Sequence, residues 1–141
     1  MASASPALPP ISRLRTYGSF VRFEHTLFSL PLVLAGIFSV PGPPLPLSRW
    51  LLIALAAVGA RTSAMALNRL IDRRLDALNP RTRSRELPAG TMKLAEAWVL
   101  LLVSAVAYLA ACIKLGPWYL RASAVPLVVF AGYPWLKRFT P

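Results

Sequence analysis

Cysteine, histidine and acidic residues are all scarce in this sequence. Cys112 is the single cysteine among 141 residues, which excludes an intramolecular disulfide and a metal cluster built on thiolates. His25 is the single histidine, and only five residues are acidic. Charged residues make up 15% of the chain, whereas 56% are hydrophobic and the mean hydropathy is +0.55. This balance excludes an ordinary water-soluble domain and indicates a protein of the lipid bilayer.

The first residues lack the features of a cleavable signal sequence. Residues 1–12 are small and rich in proline, and no apolar segment follows a basic one there. We therefore expect a disordered leader over 1–12 and a membrane domain over 13–141.

Four apolar stretches predict an all-α protein, a multi-pass transmembrane helical bundle. We expect its helices at about 20–40, 50–78, 94–113 and 118–136. Proline-containing stretches separate the helices, because each proline lacks an amide hydrogen and clashes with the preceding helical turn. We interpret the polar and basic stretch 79–93 as a structured loop.

The basic residues are unevenly distributed along the chain. Sixteen Lys and Arg residues against five Asp and Glu give a formal charge of +11. Twelve of the sixteen lie before or at the start of the first expected helix, from the end of the second to the start of the third, or after the fourth, and these positions share one side of the membrane. The positive-inside rule then places the N-terminus and loop 79–93 in the cytoplasm, so we expect an integral protein of the inner, cytoplasmic membrane. Because topology accounts for the charge, we expect the lipid bilayer as a partner and no nucleic acid.

One face of the second expected helix carries polar residues. Asn68, Asp72 and Asp76 are spaced four residues apart, and at about 100° per residue they drift only about 80° around a helix. Arg61 lies nearly two turns before Asn68, so it points the same way from within the bilayer. Two carboxylates and an amide oxygen suit Mg²⁺ that takes its remaining ligands from phosphate. They also suit a solvated helix end paired with neighbouring arginines, and spacing alone favours neither interpretation.

The following loop adds basic residues beside this face. Arg81, Arg83 and Arg85 can gather around an anion, and planar guanidinium groups donate paired hydrogen bonds to phosphate oxygens. A diphosphate bound with Mg²⁺ fits this combination. Arginines of a solvated cytoplasmic loop would give the same pattern, and Lys137 and Arg138 likewise suit either an anion site or stop-transfer charges.

Three blocks of the sequence resemble the UbiA-type intramembrane aromatic prenyltransferases, in particular the 4-hydroxybenzoate polyprenyltransferases of quinone biosynthesis. The first block, 68–76, resembles the motif Asn-x-x-x-Asp-x-x-x-Asp. The second, 81–90, resembles the loop Arg-Thr-x-x-Arg-Pro-Leu-x-x-Gly, and the third, 133–140, resembles Tyr-Pro-x-x-Lys-Arg-Tyr/Phe-Thr. Order and spacing of the blocks fit from Arg22 to Thr140.

The resemblance implies transfer of a polyprenyl group from a polyprenyl diphosphate to an aromatic acid such as 4-hydroxybenzoate, in ubiquinone or menaquinone biosynthesis. It also implies Mg²⁺ as cofactor, held by Asn68, Asp72 and Asp76, with Asp72 and Asp76 as the catalytic carboxylates. The implied substrate ligands are Arg81, Arg85, Lys137 and Arg138 for the diphosphate, and Arg22 or Arg61 for the carboxylate of the aromatic acid.

The sequence departs from the family pattern at two positions and in length. Arg69 stands where many members have aspartate, and Glu86 where proline is common, which leaves a naphthoate as an alternative acceptor to 4-hydroxybenzoate. The family has about nine membrane helices and a second Asp-x-x-x-Asp motif, whereas after Asp76 only Glu86 and Glu96 are acidic here. We therefore expect the N-terminal half of a larger UbiA-like bundle, with the C-terminal half missing, and little or no turnover by this chain alone.

Two other functions fit the sequence. One is a small four-helix transporter or channel subunit in which Arg61 lines a polar path, and the other is an inactive pseudo-enzyme fragment. Binding of a metal–diphosphate complex would argue against the transporter. His25, next to Glu24, suits an acid or a base, although we favour a hydrogen-bonding role at the membrane interface.

Overall fold

A computed structural model describes residues 10–39 and 41–136. These residues form six α-helices and no strand, which confirms the predicted all-helical class over the described part of the chain. The helices are α1 (Pro10–Phe20), α2 (Phe23–Phe38), α3 (Leu47–Leu78), α4 (Leu94–Leu115), α5 (Pro117–Ala122) and α6 (Ala124–Leu136).

The N-terminal part differs from the sequence prediction. Pro10 begins α1, at a helix start where its missing amide hydrogen costs nothing, so the prediction of disorder is wrong for 10–12. Residues 1–9 lie outside the described residues. The helix expected from about residue 20 begins only at Phe23, because Arg22 takes a left-handed backbone conformation with φ 51° that separates α1 from α2.

The single helix predicted over 118–136 is two helices, α5 and α6. With α1 as a further helix at the N-terminal side, the described chain has six helices rather than about four. Pro126 lies in the first turn of α6, where its nitrogen cannot donate to the carbonyl of Ala122. Ser123 at the junction is buried, and its hydroxyl donates to the carbonyl of Leu120 at 2.7 Å. The proline therefore breaks the predicted helix at this point.

Helices α3 and α4 form the central packed pair. A Cβ atom on Gly59 would lie 2.9 Å from the carbonyl oxygen of Ser104 and 3.1 Å from the amide nitrogen of Tyr108. Only glycine allows the two backbones to approach this closely. A small apolar core lies at one end of this pair and is built by α1, α3, α4 and loop 79–93; its buried members are Phe20, Val21, Ala66, Leu70, Met92 and Ala97.

Among the described helices, α3 and α4 are long and apolar enough to cross a membrane. Their 32 and 22 residues extend about 48 and 33 Å, against a hydrocarbon core of about 30 Å. Apolar side chains such as Val99, Leu102 and Val106 are exposed on α4, as a lipid-facing surface requires. Because α3 is longer than the bilayer core is thick, one end of it must project beyond the hydrocarbon.

Candidate active site

The polar residues of α3 share one face of a single unbroken helix, and the two carboxylates are buried. Asp72 is 2% exposed and Asp76 is 7% exposed, while Asn68 is partly buried. Burial of two carboxylates is costly unless cations or hydrogen bonds compensate them. The surrounding residues therefore decide what this face can bind.

Loop 79–93 folds back over the end of α3 and supplies one such cation. The Nη1 atom of Arg85 lies 2.8 Å from each carboxylate oxygen of Asp76. The hydroxyl of Thr82 donates to the backbone carbonyl of Asp76 at 3.1 Å. The loop begins with a turn in which the side-chain oxygen of Asn79 accepts from the amide of Arg81 at 3.0 Å. After this turn the loop runs back toward α3, where Arg85 reaches Asp76.

A second ion pair connects the loop to α3. The Nη1 atom of Arg69 donates to Oε2 of Glu86 at 3.2 Å, with the two side chains only 6% and 13% exposed. The hydroxyl of Ser19 donates to Oε1 of Glu86 at 2.6 Å, and the Arg69 guanidinium lies 5.8 Å from the ring centre of Phe20. Sequence reasoning missed this pair. Its one signal was that positions 69 and 86 both depart from the family pattern.

These contacts surround a polar cavity of about 470 Å³, within the range of about 300–1,000 Å³ that is typical of small-ligand sites. Its described lining includes four arginines, Arg22, Arg69, Arg81 and Arg85, against one acidic residue, Glu86. The excess of positive charge and the planar guanidinium donors suit phosphate groups. We refer to this space as the polar cavity.

A second cavity, of about 400 Å³, lies along α3 toward its middle. Its walls are mostly apolar, but Arg61 and Asn68 also line it. The Nε atom of Arg61 and the Oδ1 atom of Asn68 are buried and form no hydrogen bond with any described residue. A buried polar atom without a partner costs about 1–3 kcal/mol, so both atoms are suited to a bound group. We refer to this space as the apolar cavity.

The two predicted ligands of the aromatic carboxylate are thus placed differently. Arg61 lines the apolar cavity, whereas Arg22 lines the polar cavity with the loop arginines. Arg83, the third loop arginine, is exposed and lies outside the lining of the polar cavity. Lys137 and Arg138 lie outside the described residues, as does the side chain of His25.

The oxygen donors of α3 fit a magnesium ion that shares its ligands with phosphate. Asn68 offers an amide oxygen that has no hydrogen-bond partner among the described residues, and Asp72 and Asp76 follow at intervals of one turn. Within the described residues, no three Asp, Glu, His or Cys side chains gather around a metal position. Mg²⁺ commonly uses one or two carboxylates and completes its shell with water and phosphate oxygens. Asp76 already accepts from Arg85, so an ion at this position would compete with that guanidinium for the carboxylate.

Comparisons with known proteins bear on this geometry. The family described as the UbiA prenyltransferase family matches residues 29–141. The 4-hydroxybenzoate octaprenyltransferase of Vibrio parahaemolyticus serotype O3:K6 (strain RIMD 2210633) is 28% identical, over 91% of this chain and 46% of the relative. The one of Vibrio atlanticus (strain LGP32) is 29% identical, over 99% of this chain and 47% of the relative. The chain therefore spans about half the length of the curated relatives it matches.

A solved structure shares the arrangement of the helices. It is titled the apo structure of a UbiA homolog from Aeropyrum pernix K1, and it matches this chain with a TM-score of 0.75 at 38% sequence identity. The match covers 84% of this chain and 42% of that chain.

Proposed function

Because the chain belongs to the UbiA prenyltransferase family, we propose that it takes part in transferring a polyprenyl group from a polyprenyl diphosphate to an aromatic acid such as 4-hydroxybenzoate. The names of its relatives support this reaction, and with it a role in quinone biosynthesis. The observation that carries the proposal is the polar cavity with four arginines, one of which, Arg85, pairs with Asp76 on α3.

Asn68, Asp72 and Asp76 would hold Mg²⁺ through their side-chain oxygens. The ion would neutralise the negative charge that develops on the departing diphosphate. With Asp76 serving as a metal ligand, Arg85 would be available to donate to a phosphate oxygen. Arg81 already faces the polar cavity, and cations fixed where charge develops stabilise the transition state more than the ground state.

Arg61 is the residue that we assign to the carboxylate of the aromatic acid. Its guanidinium faces the apolar cavity, and a carboxylate accepts paired hydrogen bonds from such a group. The apolar walls suit the aromatic ring and the first isoprene units. Arg22 is assigned to the diphosphate instead, since it lines the polar cavity.

We place the polar end of α3 at the cytoplasmic face of the inner membrane. Loop 79–93 and the end of α3 carry a dense group of basic residues, which the positive-inside rule assigns to the cytoplasm. The bilayer itself would deliver the polyprenyl tail to the site from the side. A water-soluble aromatic acid would reach the same site from the cytoplasm.

Binding of pyrophosphate with Mg²⁺ tests the proposal without requiring turnover. We expect the purified chain in lipid nanodiscs to bind pyrophosphate in isothermal titration calorimetry, and to bind it more weakly after removal of Mg²⁺. Asp72→Asn and Arg85→Ala should each weaken binding about tenfold or more, since each removes a charged ligand. Arg83→Ala is the matched control, because Arg83 is an exposed arginine of the same loop outside the polar cavity. An equal loss in Arg83→Ala and Arg85→Ala would contradict the proposal.

A further inference from the structure

Loop 79–93 has two ionic connections to α3 among the described residues. One is the pair of Arg85 with Asp76, and the other is the pair of Arg69 with Glu86. In the proposed function the first pair would separate, which would leave Asp76 available to the metal and Arg85 available to the diphosphate. The second pair uses neither a predicted metal ligand nor a loop arginine. The pair of Arg69 with Glu86 can therefore persist while Arg85 and Asp76 change partners.

We propose that Arg69 and Glu86 are positioning residues that hold loop 79–93 against α3 while Arg85 changes partners. They would keep the arginines of the polar cavity in place over the metal-binding face. The ligand in this inference, a magnesium diphosphate complex, rests on the proposed function. The connection itself can be tested without any ligand.

The Glu86 carboxylate joins three segments of the chain. Its Oε2 atom accepts from Arg69 on α3, and its Oε1 atom accepts from Ser19 on α1. Its backbone carbonyl accepts from the amide of Met92 and from the hydroxyl of Thr91, both at 3.2 Å, which closes the loop onto itself. A change at this one carboxylate therefore affects the loop and both helices.

The contact with Ser19 also bears on Arg22, three residues further along the chain. The left-handed conformation of Arg22 is unfavourable for a residue with a Cβ atom, so neighbouring contacts must maintain it. Phe20 and Val21 are buried in the apolar core, and the bond from Ser19 to Glu86 ties the preceding turn to the loop. Glu86 thus contributes to placing Arg22 in the polar cavity.

Arg69 is held on two sides. Its guanidinium lies over the ring of Phe20 and donates to Glu86, and its side chain is 6% exposed. Arginine is well suited to such a site, because the planar group stacks on a ring while its edge donates hydrogen bonds. A side chain confined in this way has little freedom to follow a ligand, which suits a positioning role.

Substitution of Glu86 distinguishes a role in positioning the loop from a direct electrostatic effect of its carboxylate on the ligand. A carboxylate in the lining of an anion-binding cavity repels diphosphate, so its removal strengthens binding if charge alone decides. If Glu86 positions the loop, its removal weakens binding. Arg69 lines the same cavity as a cation, so a loss on substituting Arg69 alone would not distinguish direct binding from positioning.

The experiment compares Glu86→Gln and Glu86→Ala with the unchanged 141-residue chain in nanodiscs. Pyrophosphate affinity in the presence of Mg²⁺ is measured by calorimetry, and amide hydrogen exchange of loop 79–93 is measured without ligand. We expect binding about tenfold weaker and exchange about tenfold faster in both variants, since the buried Arg69 guanidinium loses its charged acceptor. Glu86→Gln retains the shape of the side chain and carries the test if Glu86→Ala does not fold.

Glu96→Gln is the matched control. Glu96 accepts from the amide of Lys93 at the start of α4 and pairs with Arg13, but it does not line the polar cavity. Glutamine keeps the capping bond to the amide, so this variant removes the same charge without opening the loop. We expect its binding and exchange to match those of the unchanged chain.

The double variant Arg69→Glu with Glu86→Arg tests the pair directly. It restores an ion pair of opposite orientation. We expect it to recover most of the protection of loop 79–93 from hydrogen exchange that Arg69→Glu or Glu86→Arg loses alone. Tighter pyrophosphate binding in Glu86→Gln, or unchanged exchange in both Glu86 variants, would overturn the inference. Faster exchange in a chain that binds no pyrophosphate at all would support the connection and overturn the proposed function instead.

Discussion

The Nη1 atom of Arg85 is 2.8 Å from both carboxylate oxygens of Asp76, so a proposed diphosphate ligand and a proposed metal ligand neutralise each other. In the proposed function, Mg²⁺ would compete with Arg85 for Asp76, and diphosphate would compete with Asp76 for Arg85. The component that bound first would then free the ligand that the second one needs.

This relationship predicts that Mg²⁺ and pyrophosphate bind cooperatively. The affinity for pyrophosphate should rise about 5- to 150-fold at saturating Mg²⁺, and the affinity for Mg²⁺ should rise by the same factor at saturating pyrophosphate. Calorimetric titrations in both orders check the two factors against each other. The titrations must be corrected for the complex that the two ligands form in solution.

Arg85→Ala provides the control for this cooperativity. Without the guanidinium, Asp76 is no longer paired, so Mg²⁺ alone should bind more tightly than to the unchanged chain while pyrophosphate binds more weakly. Weaker binding of Mg²⁺ alone by Arg85→Ala would show that this arginine supports the metal site rather than competing for it.

Gly59 predicts a stability effect at the contact of α3 with α4. Gly59→Ala places a Cβ atom 2.9 Å from the Ser104 carbonyl oxygen, and the helices must separate to admit it. We expect a loss of about 1–3 kcal/mol in the free energy of unfolding, the usual range for overpacking. Thermal unfolding followed by circular dichroism in detergent measures the change.

Gly36→Ala is the matched substitution for Gly59→Ala. Gly36 lies within α2, and a Cβ atom there meets no described atom within 4 Å. Alanine in a helix interior is favoured over glycine by about 0.5–1 kcal/mol, so this variant should be slightly more stable than the unchanged chain. Equal destabilisation by the two substitutions would contradict a role for the close approach at Gly59, because helix propensity alone favours alanine at both positions.

The features that follow from helical periodicity could be predicted from the sequence. The spacing of Asn68, Asp72 and Asp76 placed them on one face, because residues four apart in a helix lie nearly above one another. The polar and basic stretch 79–93 predicted a loop whose arginines can gather, and the structure places Arg81 and Arg85, but not Arg83, in the lining of one cavity. Family membership was predicted from the three motifs and is confirmed. The functional roles of these residues stay predictions.

Features that depend on long-range contacts could not be predicted. The pair of Arg69 with Glu86 joins positions seventeen residues apart through the path of a loop, and no local pattern encodes that path. The break at Arg22 is similar, because a left-handed arginine is intrinsically unfavourable and is maintained by its surroundings. Pro126 was visible in the sequence, but a proline in a membrane helix can either bend it or break it.

The buried side-chain oxygen of Asn68 has no hydrogen-bond partner among the described residues. Its removal is therefore expected to weaken ligand binding without lowering the stability of the fold. Asn68→Leu replaces a buried amide without a described hydrogen-bond partner by an apolar side chain of similar shape, so stability should be unchanged or increase by about 1 kcal/mol. Pyrophosphate binding with Mg²⁺ should weaken about tenfold or more, because an oxygen ligand is lost. Thermal unfolding and calorimetry on the same preparation test both parts. A clear loss of stability would show that the amide has a structural role.

The position of Arg61 predicts that one substitution can weaken binding of the aromatic acid without changing binding of pyrophosphate. Arg61→Met keeps the apolar stem of the side chain and removes the guanidinium, whose Nε atom is buried without a described partner. With 4-hydroxybenzoate as the probe, we expect affinity to fall about tenfold or more, since the paired bonds to its carboxylate are lost. Pyrophosphate binding should not change, because Arg61 lines the apolar cavity and the loop arginines line the polar one. Arg121→Met, at an exposed arginine of α5, controls for the loss of one positive charge. If Arg61→Met weakened pyrophosphate binding and left 4-hydroxybenzoate binding intact, the assignment of the two cavities would have to be reversed.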